Sequence, residues 1–391
     1  MKQKLIDMWL PILIVACIAR NQLGIPVLEI LVGYSYYIAL LLLIVFNVKH
    51  AKSIYIVPIL FLAACFISIV LGNPLPIFNS YNRLFLLLAL VMACSPALNS
   101  QKAAELRTKI FICFMWYFTA VSLISFCCYF LGINYSTRAL LRGEAMLEHA
   151  GYFGGITAHS MFLGPIAAVA TLFTFKMFLE TQKKAFAFCC GISILTILLS
   201  ASRASLIAAC GGIIYMLFFF PSHVFSSSKK YIITICAIIC LLPFISNFSH
   251  LVEAKTQANL NSGGFTSSRA SLWVARWQEF LDSPIWGCGY ASERITREIS
   301  LTTGRIEPGT SWGAIFAQTG LLGGVLFSWI FFKGLIKQHN ISSPDSVLIA
   351  SVLIFYALHM CAEGYGIAAG NPNCFFLWLT MSVALMSNQS R

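Results

Sequence analysis

Guanidinium and ammonium groups are divided along this chain in a way that could do chemistry. A guanidinium is a planar, permanently charged fork that binds phosphate through paired hydrogen bonds, whereas a lysine ammonium is a flexible point charge. Between successive hydrophobic runs, one set of connections carries lysines: Lys49 and Lys52, Lys102 and Lys109, Lys183 and Lys184, Lys229 and Lys230, Lys333 and Lys337. The alternate set carries Arg20, Arg83, Arg138, Arg142, Arg203, Arg269, Arg276, Arg294, Arg297 and Arg305. Only Arg107 and Arg391 fall with the lysines, and only Lys255 falls with the arginines. A protein that grips an anionic lipid phosphate at one membrane face would want this distribution. For Arg276, Arg294 and Arg297 the competing reading is a surface bridge to acidic residues of their own loop. Arg83, in Ser80-Tyr-Asn-Arg83, is either a further phosphate contact or a side chain reaching for lipid headgroups.

What holds these residues is set by composition. The chain has 391 residues, 59% hydrophobic and only 10% charged, with a mean hydropathy of +0.81. That is far more apolar surface than one soluble core hides. Hydrophobic segments fall near 6–19, 24–46, 54–72, 84–98, 109–131, 153–175, 185–200, 204–220, 231–247, 313–336, 346–364 and 371–387. The expected fold class is all-α, a polytopic integral membrane bundle of about 12 transmembrane helices, because a hydrocarbon solvent forces each backbone amide to be satisfied within its own helix. Residues 1–247 would hold nine helices, 248–312 a large loop with an amphipathic helix, and 313–391 three more helices. Lysine is retained beside cytoplasmic helix ends, so both termini are expected inside and the arginine-bearing connections outside. The N-terminal run lacks a small-residue cleavage site and does not read as a signal peptide.

Several functions are excluded or left without support. The net charge of +12 comes largely from orienting lysines, with no basic stripe interleaved with aromatics, so no nucleic-acid partner is expected. The 14 cysteines lie almost all in hydrophobic runs, where Cys packs as a small apolar residue. Only Cys288 stands clearly in a loop, and no disulfide framework follows. The seven histidines form no metal-ligand pattern, and no metal or other cofactor is expected.

Two loops on the arginine side are long. One, around Gly132–Tyr152, carries Arg138, Arg142, Glu144, Glu148 and His149; the other runs from Ser249 to Trp312. Within the second, Ser268–Leu281 reads as an amphipathic helix capped by Ser267 or Ser268. Its apolar set is Leu272, Trp273, Ala275, Trp277, Phe280 and Leu281, and its polar set Arg269, Arg276, Gln278 and Glu279. Trp273, Trp277 and Trp286 suit a helix at the membrane interface. Asp282-Ser283-Pro284 ends it, and Gly287-Cys288-Gly289 is a tight turn.

Three patches then carry a resemblance. Gly151-Tyr-Phe-Gly-Gly-Ile-Thr-Ala-His-Ser-Met-Phe-Leu-Gly164 is a glycine-rich approach to a helix. Leu199-Ser-Ala-Ser-Arg-Ala-Ser-Leu206 sets a serine–arginine pair at a helix end. Ser268-Arg-Ala-Ser-Leu-Trp273, Pro284-Ile-Trp-Gly-Cys-Gly289 and Gly320-Leu-Leu-Gly323 follow in order. In that order, with the helix layout and the late large loop, the chain resembles the O-antigen polymerase and O-antigen ligase superfamily of bacterial envelope glycan assembly. The resemblance implies a glycosyltransferase of the bacterial inner membrane working at the periplasmic face. Such an enzyme takes a glycan from an undecaprenyl diphosphate carrier and joins it to an acceptor hydroxyl. Arg203 and Arg269 match the motif arginines that the family implies hold the diphosphate, and fixed positive charge would stabilise the departing oxygen. Arg83, Arg142, Arg276, Arg305 and His159 are further expected substrate contacts.

Ligases of this superfamily carry a histidine upstream of the Gly320 step as a candidate base; here Gly309 stands in its place, which favours the polymerase reading. A base must reach the acceptor proton with a pKa near ambient pH. Glu307, beside that position, is the first candidate. Glu363, in His359-Met-Cys-Ala-Glu-Gly-Tyr-Gly366, is the second, since an ionisable group at a membrane helix end is functional by default. His159 is the third, or simply satisfies backbone at its helix start. The expected partners are an undecaprenyl-diphosphate-linked oligosaccharide, an acceptor glycan, the lipid bilayer and a chain-length regulator. A lipid-glycan flippase or secondary transporter is the alternative of another class.

Overall fold

The structure, a computed structural model, describes residues 2–25, 34–136, 153–221, 267–295, 298–341 and 343–386. Its helices are α1 (Lys2–Ala19), α2 (Ser35–His50), α3 (Ile56–Gly72), α4 (Ser80–Cys94), α5 (Gln101–Phe130), α6 (Ser160–Thr181) and α7 (Lys184–Leu199). They continue with α8 (Arg203–Phe219), α9 (Ser267–Asp282), α10 (Glu298–Thr303), α11 (Ser311–Ile341), α12 (Pro344–His359) and α13 (Pro372–Met386). The only sheet among the described residues is a pair of two-residue strands, β1 (Ser53–Ile54) and β2 (Leu98–Asn99). This is a helical membrane protein. Among the described residues, four stretches are long and apolar enough to cross a bilayer, namely Pro76–Cys94, Gln101–Phe130, Ser160–Thr181 and Ser311–Ile341, and seven shorter apolar helices accompany them. Each of the anticipated apolar segments meets one of these helices except 231–247, which lies outside the described residues.

The core gathers around α13, which is apolar on every side and buried along nearly its whole length, as expected of a helix with no solvent or lipid face. Trp378 is completely buried between Phe61 and Phe327, and Phe376 packs against Phe111, Phe114 and Phe118 of α5. Around this centre the outer helices turn Leu41, Phe85, Phe188 and Trp329 outward, a belt of large apolar side chains suited to lipid.

Bonds between connections gather them into two groups, one at each end of the bundle. At one end β1 pairs with β2, Lys176 bridges Glu180 and Asp345, and Arg107 donates to the Leu98 carbonyl. The other end carries the turn after α1, the α3–α4 and α7–α8 connections, the approach to α6 and the described residues between Ser283 and Ser311. There Gly24 and Ala158 exchange backbone bonds with Ile156 and Gln22, and Ser80 Oγ donates to the Ala291 carbonyl. Arg20, Arg83, Arg203, Arg276, Arg294 and Arg305 belong to this second end. The lysine–arginine division seen along the sequence is thus a division in space.

One join fixes the loop before α11. Gly320 interrupts α11 with φ 62° and ψ −165°, a region open only to glycine. The helix therefore starts nine residues earlier than the Gly320-Leu-Leu-Gly323 step, at Ser311. The segment Pro284–Gly289 enters the break and replaces the lost helical bonds. Leu321 and Leu322 donate to the Pro284 and Ile285 carbonyls (2.7 and 3.3 Å), while Cys288 and Gly289 donate to the Ala317 and Gln318 carbonyls (2.8 and 3.2 Å). Gly287 and Gly289, at φ 79° and 114°, make the turn that permits this exchange.

Candidate active site

The site is built on the start of α8. Helix α7 ends at Leu199, and Ser200-Ala201-Ser202 reverses the chain with Ala201 in the left-handed region at φ 52°. Ser202 caps α8, its Oγ accepting the Ser205 amide. Arg203 is the first helical residue and is exposed, with no carboxylate partner among the described residues. An arginine and a helix N-terminus here present positive charge together.

Behind Arg203 runs a chain of side-chain hydrogen bonds. Ser202 Oγ donates to Ser205 Oγ at 2.7 Å, and Ser205 Oγ lies 3.0 Å from His359 Nε2 at the end of α12. The other ring nitrogen, Nδ1, lies 2.8 Å from the Tyr365 hydroxyl. His359 is 1% exposed and stacks on Phe355 at 5.0 Å. Helix α6 closes the third side at Gly164, where a Cβ would stand 2.6 Å from Ser202 Cβ and 2.8 Å from Ser205 Oγ. Only a glycine leaves room for both hydroxyls.

From His359 the path continues to the large loop. Ser311 and Thr310, at the start of α11, both donate to the Met360 carbonyl, at 2.8 and 3.1 Å. Ser311 Oγ accepts the Tyr365 and Gly366 amides and donates to the Glu363 carbonyl. Gly309 lies against Leu272 of α9, and Trp273 Nε1 donates to its carbonyl. The backbone of Arg269 stands in the first turn of that helix; its side chain lies outside the described residues. The starts of α8 and α9, which bear the two motif arginines, are therefore joined through His359, Met360, Ser311 and Gly309.

The segments that bear the two candidate carboxylates pack together. Glu307 is exposed and Glu363 half-buried, and the segments that bear them touch where the Pro308 ring covers Gly364. Arg83 is half-buried at the start of α4, and its Nη2 donates to the Gly304 carbonyl at 2.7 Å, next to exposed Arg305. One arm of that guanidinium thus anchors the loop. His159 caps α6, its Nδ1 accepting the Met161 amide at 3.0 Å. Arg142, Arg138 and Arg297 lie outside the described residues.

Arg276 and α9 require a correction. Arg276 was expected on a polar face, either touching substrate or forming a surface bridge, but it is turned inward and is 1% exposed. It bridges Glu279 at 3.1 Å and Glu293 at 3.4 Å. Glu279 also accepts the Arg294 and Ile295 amides, and Glu293 accepts the Glu307 amide. The helix therefore buries Arg276 and Glu279 and turns Trp273, Val274, Trp277 and Leu281 outward. Burial pushes both carboxyls up from the ordinary glutamate value, and the Arg276 guanidinium pulls them back down. Cys288 is buried in the same loop, which pushes its thiol up to about 12 and keeps it a packing residue.

Sequence reasoning missed Ser205, His359 and Tyr365 as a group. The stretch His359–Gly366 drew notice only for Glu363. The sole signal was a histidine ending an apolar helix, which by itself names no partner.

Helices, interface tryptophans and a cluster of arginine-bearing ends define a membrane-embedded protein with a polar site at one end of its bundle. Residues 188–328 match the family model described as O-antigen ligase, which supports the chain's place in the O-antigen ligase and polymerase superfamily. The match takes in the Ser202–Arg203 turn, α9, the Pro284–Gly289 segment and the break at Gly320. Members of this family are glycosyltransferase-like enzymes. No curated protein matches the chain.

Proposed function

We propose that this protein is a surface-polysaccharide polymerase. It moves a glycan from an undecaprenyl diphosphate carrier to a hydroxyl of another lipid-linked repeat unit, at the periplasmic face of a bacterial inner membrane. The observation that carries this reading is the joining of the α8 and α9 starts, with Arg203 exposed and uncompensated by any described carboxylate. Arg203 and Arg269 grip the diphosphate and stabilise the charge that grows on its leaving oxygen, so a metal ion is not needed for that task. Arg305 and the outer arm of Arg83 extend the positive surface toward the carrier's headgroup, and Arg142 remains a further substrate contact by its residue type alone. Glu307 and Glu363 stand on the acceptor side and orient the incoming hydroxyl.

Two further readings have specific support. The ligase alternative draws on the description of the matching family. Against it stands Gly309, at φ 70° with a Cβ position 2.7 Å from Leu272 Cβ, where no histidine fits without displacing α9. The transporter alternative draws on the broken helix α11, because carriers often place substrates at helix breaks. Here the break is filled by the chain's own Pro284–Gly289.

Deleting the gene and separating the envelope glycans on a gel tests the reading. A polymerase loss leaves acceptor capped with a single repeat. Bare acceptor with polymer retained on the carrier would make the protein a ligase, and carrier-linked units accumulating on the cytoplasmic leaflet would make it a flippase.

A further inference from the structure

We propose that His359, acting through Ser205 and Ser202, takes up the proton of the acceptor hydroxyl during glycan transfer. The inference deepens the functional reading above and rests on it.

The relay uses one of the two polarities that the His359 tautomer allows. Ser202 spends its hydroxyl proton on Ser205, which leaves the Ser205 proton to go to His359 Nε2. In the tautomer that serves the relay, Nε2 accepts and Nδ1 carries the ring proton toward the Tyr365 oxygen. Each hydroxyl is already placed to give a proton inward and receive one from outside. Ser202, the partly exposed end, keeps a lone pair beyond the one used for capping α8. It also immediately precedes Arg203, so the entry to the relay and the grip on the leaving group are neighbours in the chain.

The steps balance. The acceptor O–H bond breaks as its proton passes to Ser202 Oγ, Ser202 gives its own proton to Ser205, and Ser205 gives its proton to His359 Nε2. The acceptor oxygen's electron pair forms the new bond to the anomeric carbon. The old bond from that carbon to the diphosphate breaks, and its electron pair leaves on the phosphate oxygen. After transfer the proton returns by the same route to water at Ser202. His359 needs dry, fixed surroundings for this, which Phe355, Gly164 and the Met360–Ser311 join provide. The ionisable groups that the elements packed on it bring are these, among the described residues. Tyr365 faces it directly, and Glu363 lies one turn on. Helix α8 brings Arg203, helix α6 is preceded by His159, and the start of α11 brings only Thr310 and Ser311. Gly309 carries no base, and this relay supplies one from another direction.

The test uses the full-length protein in lipid vesicles with a polyprenyl-diphosphate-linked oligosaccharide as donor and acceptor. His359→Gln keeps a hydrogen-bonding side chain that cannot take the proton, and Ser205→Ala cuts the relay while leaving His359 in place. Each should lower kcat by about 10²–10⁴-fold and leave the donor KM unchanged. The double variant should be no slower than the slower single one, because the residues act as a unit. The acid limb of the wild-type kcat profile should be missing from His359→Gln. Multiplying effects, a retained acid limb, or loss of donor binding in step with kcat would each overturn the relay. Wild-type turnover with an undiminished His359→Gln would overturn the relay alone, whereas a wild type that turns over no such donor would overturn the functional reading beneath it.

Discussion

The Leu321 amide donates to the Pro284 carbonyl at 2.7 Å, a bond between α11 and the loop that stands in for the helical bond lost at Gly320. Two motifs distant in sequence are therefore one structural joint. Gly320→Ala would force a side chain into a backbone region that only glycine occupies, and its Cβ would overlap the Ile285 carbonyl. The strain alone costs about 1–3 kcal/mol. The substitution should lower the thermal midpoint of the purified protein and make the Pro284–Gly289 segment open to protease.

Arg276 serves two buried carboxylates, so Arg276→Ala would leave Glu279 and Glu293 facing each other without their cation. Removing one partner of a buried ion pair costs about 3–5 kcal/mol. The sign of the pH dependence follows from the raised carboxyl values. A carboxyl raised in the folded state favours folding below its unfolded value and loses that contribution as pH rises through the folded value. The defect should therefore be largest at neutral pH and shrink as pH falls toward 4.5, the ordinary glutamate value. Thermal unfolding across that range checks it; a defect that grows on acidification would contradict the account.

Glu363→Gln should raise the acceptor KM more than it lowers kcat, because a carboxylate that orients a hydroxyl acts in the ground state as well as in the transition state. Glu307→Gln should behave in the same way. A fall in kcat alone, with the acceptor KM unchanged, would move the base role from His359 to that carboxylate.

Sidedness can be read with a membrane-impermeant thiol reagent on single cysteines placed at two exposed positions, Arg305 and Lys183. The cysteine at 305 should label in intact cells and the one at 183 only after permeabilisation. The reverse pattern would set the arginine end in the cytoplasm.

Much of the fold was legible because hydropathy reports burial directly. Segments such as 54–72 and 185–200 meet α3 and α7 within a few residues. Boundaries were poorer where polar turns begin a helix: α5 starts at Gln101, well before the apolar run near 109, because Ser100 caps it. That arginines gather at one end of the bundle was legible from their spacing between the apolar runs; which of them serve the loop's own structure, as Arg276 and Arg83 do, was not. The Ser205–His359 and His359–Tyr365 bonds were not, because they depend on α8 and α12 packing side by side. The inward turn of Arg276 was hidden as well. Amphipathic patterning assigns charge to the outer face, and only the arrival of Glu293 from a later turn reverses that.

The central claim is that guanidinium groups at one end of the bundle hold a lipid-borne diphosphate while its glycan leaves. Vesicles carrying the wild-type protein or Arg203→Ala, supplied with a polyprenyl-diphosphate-linked oligosaccharide, test it by the release of free polyprenyl diphosphate. The wild type should release it together with a lengthened glycan, and Arg203→Ala should be slower by about 10²–10³-fold while still inserted in the bilayer. Release by Arg203→Ala at the wild-type rate would contradict the account.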